Sequence, residues 1–303
     1  MATLRKALKN PYLVLAKLIH GRAKWLSDEM YLKILYRGIF GKPLHLQSPR
    51  TFNEKLQWLK LHDRNPLYTG MVDKVEAKEI AAGKIGRQHI IPTLGVWDSF
   101  DQIDFASLPQ QFVLKCSHDS GGLVIVKNKA DLDMRSAKKK INRSLRRNYY
   151  WQSREWPYKN VKPRILAEAY VGSNGEDLRD YKFFCFNGEP KYLFVASDRN
   201  TPGEEVKFDY FDMDFNKLNM KQCAHPNSNY CLQKPASFEE MICLAKILSR
   251  GIPQVRIDFY EVNGQVLFGE FTFFHHGGFV PFEPDHIDFE WGQNILLPEI
   301  NKQ

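Results

Sequence analysis

The chain has 303 residues, 43% of them hydrophobic and 26% charged, with no low-complexity tract. This composition is typical of a folded protein with a sizeable core and excludes a disordered chain. Five scattered cysteines without a CxxC pair argue against a disulfide framework or zinc knuckle and favour a reducing compartment. No signal peptide or membrane-spanning apolar run is recognisable, so the sequence predicts a cytoplasmic protein.

The net charge of +8 is concentrated at the N-terminus. Residues 1–50 contain ten Lys/Arg and two Asp/Glu, whereas residues 51–303 contain 33 of each. Apolar residues recur among these basic residues at helical spacing, at Leu4, Leu8, Leu15 and Ile19. A basic amphipathic helix can lie on an anionic membrane surface, at about 1 kcal/mol per Lys/Arg near the headgroups. The alternative is a helix packed on its own domain with its basic side chains in solvent.

Nucleic-acid binding is not expected. No recognition motif is present, and the 253 residues after the basic region carry no excess charge.

Residues 51–110 are predicted to be mainly helical. In the stretch TFNEKLQWLKLHD, Phe52, Leu56 and Leu59 share one helix face. Thr51 and Glu54 precede this face at the spacing of a capping box.

From residue 111 the pattern changes to strands. Two short apolar runs within 111–126 flank a glycine loop, a helical pattern follows over 134–145, and RILAEAYV at 164–171 again favours a strand. Residues 111–171 are therefore predicted to form a small α/β unit.

Residues 172–303 favour antiparallel strands. Two strand pairs turn at Asn187-Gly188 and Asn263-Gly264, the strongest short hairpin signal. Between them a helix is predicted over 237–251, begun by a capping box of Ser237 and Glu240. The fold class is α+β with a mobile lid.

The glycine loop in QFVLKCSHDSGGLVIV could bind phosphate. Gly121 and Gly122 let backbone N–H groups approach a polyanion, Ser117 and Ser120 add donors, and Lys115 adds charge. The loop matches neither the P-loop nor the Rossmann fingerprint. The alternative is a flexible hairpin tip with an exposed lysine.

The hairpin VRIDFYEVNGQVLFGEFT could bind a divalent cation. Its turn places Asp258 directly opposite Glu270, and the two-residue period puts Arg256 and Thr272 on the same face. Because opposed like charges repel, a compensating Mg²⁺, which takes one or two carboxylates plus substrate phosphates, is favoured. Alternatively, the pair is balanced by nearby Lys or Arg.

The following segment FFHHGGF is predicted to line the mouth of the site. His275 or His276 could act as a base toward an incoming amine or hydroxyl. On a strand only one of the two would face the site. A structural loop is the alternative, and a zinc site with Asp258 and Glu270 is the least favoured one.

The chain resembles the TupA-like ATP-grasp family of bacterial cell-surface polysaccharide loci. The resemblance covers most of residues 51–300 and rests on TFNEKLQWLK, Asp73-Lys74, PTLGVWD, FVLKCSHDSGG, DYKFFCFNGEPKYL and RIDFYEVNGQVLFGEFTFF. It implies the ATP-grasp fold, with a mainly helical N-terminal part (51–110) after the basic extension (1–50). A lid subdomain (111–171) and an antiparallel-sheet C-terminal subdomain (172–303) would follow.

The resemblance also implies ATP and Mg²⁺ as cofactors and assigns roles to residues. Lys74 and Lys115 would contact phosphates. The lid loop over the β- and γ-phosphates would comprise Ser117, His118, Ser120, Gly121 and Gly122. The adenine-binding hinge would comprise Glu168, Ala169, Tyr170 and Val171.

In the C-terminal part, Asp258 and Glu270 would be the magnesium carboxylates. Arg256 would face the γ-phosphate or an acyl phosphate, and Lys182 the nucleotide or the acceptor. At the third metal position the family usually has asparagine, whereas this chain has Thr272, a weaker ligand.

The implied activity is an ATP-dependent carboxylate–amine ligase that forms an amide through an acyl phosphate. Its expected partners are ATP, a free amino acid and a glycan or lipid-linked glycan, for example a uronic acid of a surface polysaccharide. The basic N-terminus fits the inner face of the cytoplasmic membrane. A kinase on the same fold, a glycosyltransferase and a non-catalytic nucleotide sensor are the alternatives.

Overall fold

A computed structural model describes residues 10–172, 178–199, 201, 203–222 and 225–299. The segment with Leu4 and Leu8 lies outside the described residues. Among the described helices, none has the length and hydropathy needed to cross a bilayer.

The N-terminal part is helical. Its described α-helices are α1 Pro11–Ile19, α2 Asp28–Phe40, α3 Phe52–His62, α4 Leu67–Val72 and α5 Glu76–Ile85. The capping box at the start of α3 is confirmed, because Thr51 accepts a hydrogen bond from the Glu54 amide and the Glu54 carboxylate accepts from the Thr51 amide. Ile19 and Tyr31, from α1 and α2, belong to the same hydrophobic core as the C-terminal sheet. Residues 10–50 are thus part of the main body.

The lid is a four-stranded antiparallel sheet with its own small core. Its elements are β1 Thr93–Trp97, β2 Phe112–Cys116, β3 Leu123–Val126, α6 Met134–Leu145 and β4 Ile165–Ala169, in the sheet order β1-β4-β2-β3. Phe112 on β2 and Ile141 on α6 are fully buried in this core. A short helix, α7 Tyr150–Ser153, leads back to the body.

The four-stranded sheet includes β1, which precedes residue 111, so this sheet extends beyond the predicted unit 111–171. β1 has only five residues, its register shifts between Thr93 and Gly95, and its partner is β4. A short irregular strand whose partner is distant in sequence has little local pattern.

The C-terminal part is a five-stranded antiparallel sheet covered by a helix. Its elements are β5 Asp180–Phe186, β6 Glu189–Ser197, β7 Lys207–Phe211, α8 Phe238–Ser249, β9 Gln254–Val262 and β10 Gln265–Thr272, in the sheet order β10-β9-β5-β6-β7. A two-stranded sheet of β8 Lys221–Gln222 and β11 Phe282–Glu283 and the helix α9 His286–Gln293 complete the body.

Both hairpin turns are where the sequence predicts them. Asn187 and Asn263 have positive φ angles of 52°, and the glycines after them have φ of 87° and 76°. The capping box predicted for α8 is wrong: the Ser237 hydroxyl makes no cap hydrogen bond and donates to the Gly264 carbonyl at 3.1 Å.

Candidate active site

A cavity of about 500 Å³ lies between the lid sheet and the C-terminal sheet. Lys115 and Ile125 line it from the lid, Phe208 and Tyr260 from the body, and the chain segment 169–171 from the side. The volume suits a ligand of nucleotide size, and mixed apolar and charged walls are typical of such sites. The structure therefore brings the predicted hinge residues Ala169, Tyr170 and Val171 to one wall of one cavity.

Glu168 joins two lysines beside this cavity. Its Oε1 lies 2.7 Å from Lys78 Nζ, and its Oε2 lies 2.5 Å from Lys115 Nζ. Burial alone would raise the pKa of Glu168, but the two ammonium groups hold it below its usual value. Glu168 therefore orients Lys115 toward the cavity, and the nucleotide contact predicted for Glu168 would use the remaining lone pairs of its carboxylate.

Lys78 is a site residue that the sequence analysis missed. Its side chain is 7% exposed, and it donates to the Ile91 carbonyl at 2.7 Å. The sequence feature that could have indicated Lys78 is its position four residues after Lys74, because residues at this spacing lie on the same side of a helix.

The glycine loop is fixed at its base by its own side chains. The Ser117 hydroxyl donates to the Lys162 carbonyl at 3.1 Å and accepts from the Arg164 amide at 3.2 Å. The buried His118 Nε2 lies 3.2 and 3.1 Å from the carbonyls of Ser144 and Arg147. These two side chains therefore hold the loop onto the lid, and phosphate contact there is limited to the backbone.

The tip of the loop is open to the cleft. Ser120 and Gly121 are exposed, whereas a Cβ on Gly122 would lie 2.4 Å from Ser144 Oγ and 2.5 Å from Cys116 Sγ. Gly122 is thus required for close packing. Lys74 fastens the loop from the body by donating to the Asp119 carbonyl at 2.9 Å.

Below the loop the two predicted constellations meet. A small recess of about 40 Å³ is lined by Lys74 and Lys115 on one side and by Glu270 on the other. Two phosphate-binding candidates and one metal-binding candidate therefore face the same space. Lys74 comes from the segment just before α5, Lys115 from β2 and Glu270 from β10.

Asp258 is opposite Glu270 in the strand pairing of β9 and β10, as the sequence predicts, and Arg256 is opposite Thr272. Asp258 is 1% exposed. Arg256 donates to its Oδ1 and Oδ2 at 2.7 Å each, and Lys182 on β5 contacts Oδ2. Burial alone would raise the pKa of Asp258, but these two cations hold it below its usual value.

The donor set fits Mg²⁺. Glu270 is 43% exposed at its side chain and faces the cleft, and carboxylate oxygens are the ligands that Mg²⁺ prefers. Among the described residues no group of three or more His, Cys, Asp or Glu could hold a metal. A site completed by substrate phosphates fits this arrangement better than a protein-only zinc site.

The Thr272 hydroxyl accepts a hydrogen bond from Arg256. The guanidinium Nη2 donates to Thr272 Oγ1 at 3.0 Å and lies 3.4 Å from Glu270 Oε1. The threonine hydroxyl therefore orients the arginine, and its role as a metal ligand stays a prediction.

His275 is buried behind Arg256. Its Nδ1 lies 2.8 Å from Arg256 Nη1, and its Nε2 lies 2.6 Å from Gln222 Oε1. Because a guanidinium only donates, Nδ1 accepts and the proton is on Nε2. Burial, with His276 and Arg256 nearby, lowers the pKa of His275 well below its usual value. His275 is therefore neutral and positions Arg256, and its predicted role as a base stays a prediction.

His276 occupies a turn and not a strand. Residues His275–Gly278 form a 3₁₀ turn in which His276 has φ of 48°, so strand alternation does not apply. His276 is exposed, and its ring centroid lies 4.3 Å from that of His275. It remains the histidine available to an acceptor.

Helix α3 holds this turn in place. Gln57 Nε2 donates to the carbonyls of Gly277 and Gly278 at 3.2 and 2.8 Å, and Lys60 Nζ donates to Gly277 at 2.5 Å. A Cβ on Gly278 would lie 2.4 Å from Gln57 Nε2. The sequence analysis missed Gln57 and Lys60. The feature that could have indicated them is that both are polar residues next to the apolar face of α3.

Comparison with known proteins agrees with this geometry. The TupA-like ATP-grasp family model matches residues 54–296, and the chain belongs to this family. It therefore has the ATP-grasp fold, and the prediction of this fold is confirmed. No curated protein sequence matches the chain.

Three solved structures are similar to the chain at low sequence identity. D-alanine–D-alanine ligase from Bacillus anthracis, complexed with ATP, is 13% identical with a TM-score of 0.39, over 82% of this chain and 63% of that one. L-amino acid ligase from Bacillus licheniformis is 12% identical with a TM-score of 0.49, over 91% and 66%.

The ATP-grasp ligase PsnB, complexed with minimal precursor, Mg and ADP, is 9% identical with a TM-score of 0.38, over 73% and 57%. The chain thus spans between 57% and 66% of the length of these three proteins.

Proposed function

We propose that the chain is an ATP-dependent carboxylate–amine ligase that modifies a bacterial surface polysaccharide. The observation that carries this proposal is the recess in which Lys74, Lys115 and Glu270 face each other below the glycine loop. Cations for a triphosphate and a carboxylate for its Mg²⁺ are the combination that phosphoryl transfer needs.

Different residues bind the adenine, the phosphates and the metal of Mg·ATP. The backbone of Ala169 and Val171 reads the adenine edge in the large cavity, and Lys74 and Lys115 hold the phosphates. Glu270 would hold Mg²⁺, which would neutralise the charge that develops on the transferring group, and Asp258 holds Arg256 and Lys182 beside it. Arg256, fixed from behind by His275 and from the side by Thr272, donates to the γ-phosphoryl oxygens.

The chemistry follows in two displacements. A substrate carboxylate oxygen attacks the γ-phosphorus, the bond to the bridging oxygen breaks, and ADP leaves. An amine nitrogen then attacks the acyl carbon, inorganic phosphate leaves and the amine proton goes to water or to the exposed His276. Burial of Arg256 and Lys182 beside this centre strengthens their interaction with the developing charge.

The proposed acceptor is a uronic acid of a glycan, with a free amino acid as the amine. Membership of the TupA-like family supports this choice. The acyl phosphate of a uronic acid and the amide formed from it are within the chemistry of the site.

The proposed location is the inner face of the cytoplasmic membrane. Exposed apolar side chains on and after α1 support it: Leu18 is 61% exposed and Trp25 is 82% exposed, with Lys17 and Lys24 beside them. Interfacial helices combine such apolar and basic residues. Sedimentation with phosphatidylglycerol vesicles, compared between the native chain and Leu18→Gln/Trp25→Gln, tests this point.

The reaction is tested by trapping and by product analysis. With Mg·ATP, an oligouronate and mixed amino acids, hydroxylamine should yield a hydroxamate on the uronate, and inorganic phosphate should be released. Lys115→Ala should abolish both. Phosphate retained on a glycan hydroxyl would show a kinase instead, and turnover of a nucleotide sugar without ATP would show a glycosyltransferase.

A further inference from the structure

Helix α6 of the lid presents one side made almost entirely of cations. An open groove of about 600 Å³ runs along it, and its lining is Arg135, Lys138, Lys139, Asn142, Arg143, Arg146 and Arg147. We call this surface the cationic lid face. The opposite side of α6, with Ala137 and Ile141, is buried in the lid core, so the helix is held rigidly while its charges face solvent.

The charges of the cationic lid face are largely uncompensated. Among the described residues only Lys138 has an ion-pair partner, Asp101 at 2.5 Å, and residues 134–147 contain no Asp or Glu. Arg135, Lys139 and Arg143 follow each other at four-residue spacing, where like charges destabilise a helix. The lid thus keeps a repulsion that a bound polyanion would relieve.

The face ends beside the glycine loop. The carbonyl of Arg147 accepts a hydrogen bond from His118, and a Cβ built on Gly121 would lie 3.7 Å from Arg147 Nη1. A linear anion lying along α6 would therefore reach the glycine loop, which Lys74 of the recess contacts through the Asp119 carbonyl.

The lining argues against a nucleic acid and a bilayer as the partner and suits a carboxylated chain. It contains no aromatic side chain on which a base could stack, as single-stranded nucleic acids require. It also contains no apolar side chain to enter a bilayer, as interfacial helices provide. Arginine forks match carboxylates bidentately.

We propose that the cationic lid face binds the anionic polysaccharide acceptor, a polyuronate chain, and leads its reacting end to the nucleotide cleft. This inference rests on the proposed function and names the polymer that the site modifies. Because α6 belongs to the lid, a bound chain would also favour one lid position.

The test measures binding of fluorescently labelled hexagalacturonate by anisotropy, without nucleotide, between 20 and 200 mM salt. The variant Lys139→Gln/Arg143→Gln/Arg146→Gln should bind at least about tenfold more weakly, and its slope of log Kd against log salt should fall by about 2 to 3. The control Lys42→Gln/Lys191→Gln/Arg250→Gln removes the same charge from exposed positions outside the lid and should bind like the native chain.

Two further readouts separate the outcomes. The α6 variant should keep the native melting temperature or exceed it, and should keep the stabilisation by Mg·ATP, whereas Lys115→Ala should lose that stabilisation and still bind the hexauronate. Equal binding by the α6 and control variants would overturn the proposal. The proposal would also be overturned if the α6 variant bound phosphatidylglycerol vesicles or a DNA hairpin more weakly than the native chain but bound the hexagalacturonate equally well.

Discussion

Asp258 and Glu270 lie directly opposite each other on β9 and β10, yet the protein surrounds the two carboxylates differently, because Glu270 has only a 3.4 Å contact with Arg256. Asp258 is buried between Arg256 and Lys182, whereas Glu270 faces the cleft with 43% of its side chain exposed. The hairpin therefore offers one carboxylate that organises the cations and one that is accessible to a metal.

We expect Asp258→Asn to destabilise the protein by about 3–5 kcal/mol at pH 7, because two buried cations lose their counter-charge. Urea unfolding measures this difference. Glu79→Gln, which removes an exposed partner of Arg87, serves as the control and should leave the midpoint nearly unchanged. A native-like midpoint for Asp258→Asn would show that Arg256 and Lys182 do not depend on it.

The same carboxylate predicts a pH dependence. The folded state holds the pKa of Asp258 below its usual value, so its contribution is present above the unfolded pKa, about 3.9, and is lost as pH falls through the folded pKa. The stability difference between the native chain and Asp258→Asn should be constant above about pH 5 and narrow below about pH 4. A difference that persists unchanged at pH 3 would contradict this linkage.

Glu168→Gln should weaken both stability and ATP binding. Lys78 is buried and would lose its carboxylate, at about 3–5 kcal/mol, and Lys115 would lose its orientation toward the recess. The double variant Lys78→Met/Glu168→Gln removes the uncompensated cation and should recover part of the stability without recovering ATP binding. Equal unfolding midpoints for the single and double variants would argue against this explanation.

His275→Gln should lower kcat about 10- to 100-fold with little change in the KM for ATP, because a displaced Arg256 loses contact with the transferring group. His275 is neutral in the folded protein, so the variant should keep the shape of the native pH–rate profile. Loss of the acidic limb of that profile in the variant would instead identify His275 as a general base.

Much of the fold could be predicted because its signals are local. The Asn-Gly turns fix the registers of the β5–β6 and β9–β10 hairpins close to the turns. A register shift between Phe268 and Glu270 then brings Glu270 opposite Asp258. β1 was missed because its pairing with β4 depends on residues far along the chain. The capping box predicted at Ser237 is absent because the Ser237 hydroxyl donates its hydrogen bond to the Gly264 carbonyl.

The sequence predicts those site residues that belong to a local motif, but not those that reach the site from distant segments of the chain. Lys115 and the glycine loop stand out in the sequence. By contrast, Gln222 reaches His275 from β8, and Gln57 reaches the same turn from α3. Such contacts between distant segments decide that His275 positions Arg256, and no spacing in the sequence shows them.

The melting temperature with and without Mg·ATP, measured for the native chain, Lys115→Ala and Glu270→Gln, decides whether nucleotide binds at this recess. Nucleotide at a hundred times Kd stabilises by about 2.7 kcal/mol, or about 4 °C for a chain of this size. We predict a magnesium-dependent rise in the native chain that Lys115→Ala loses and Glu270→Gln reduces. No rise at millimolar ATP, or an equal rise in all three proteins, would contradict a nucleotide site at this recess.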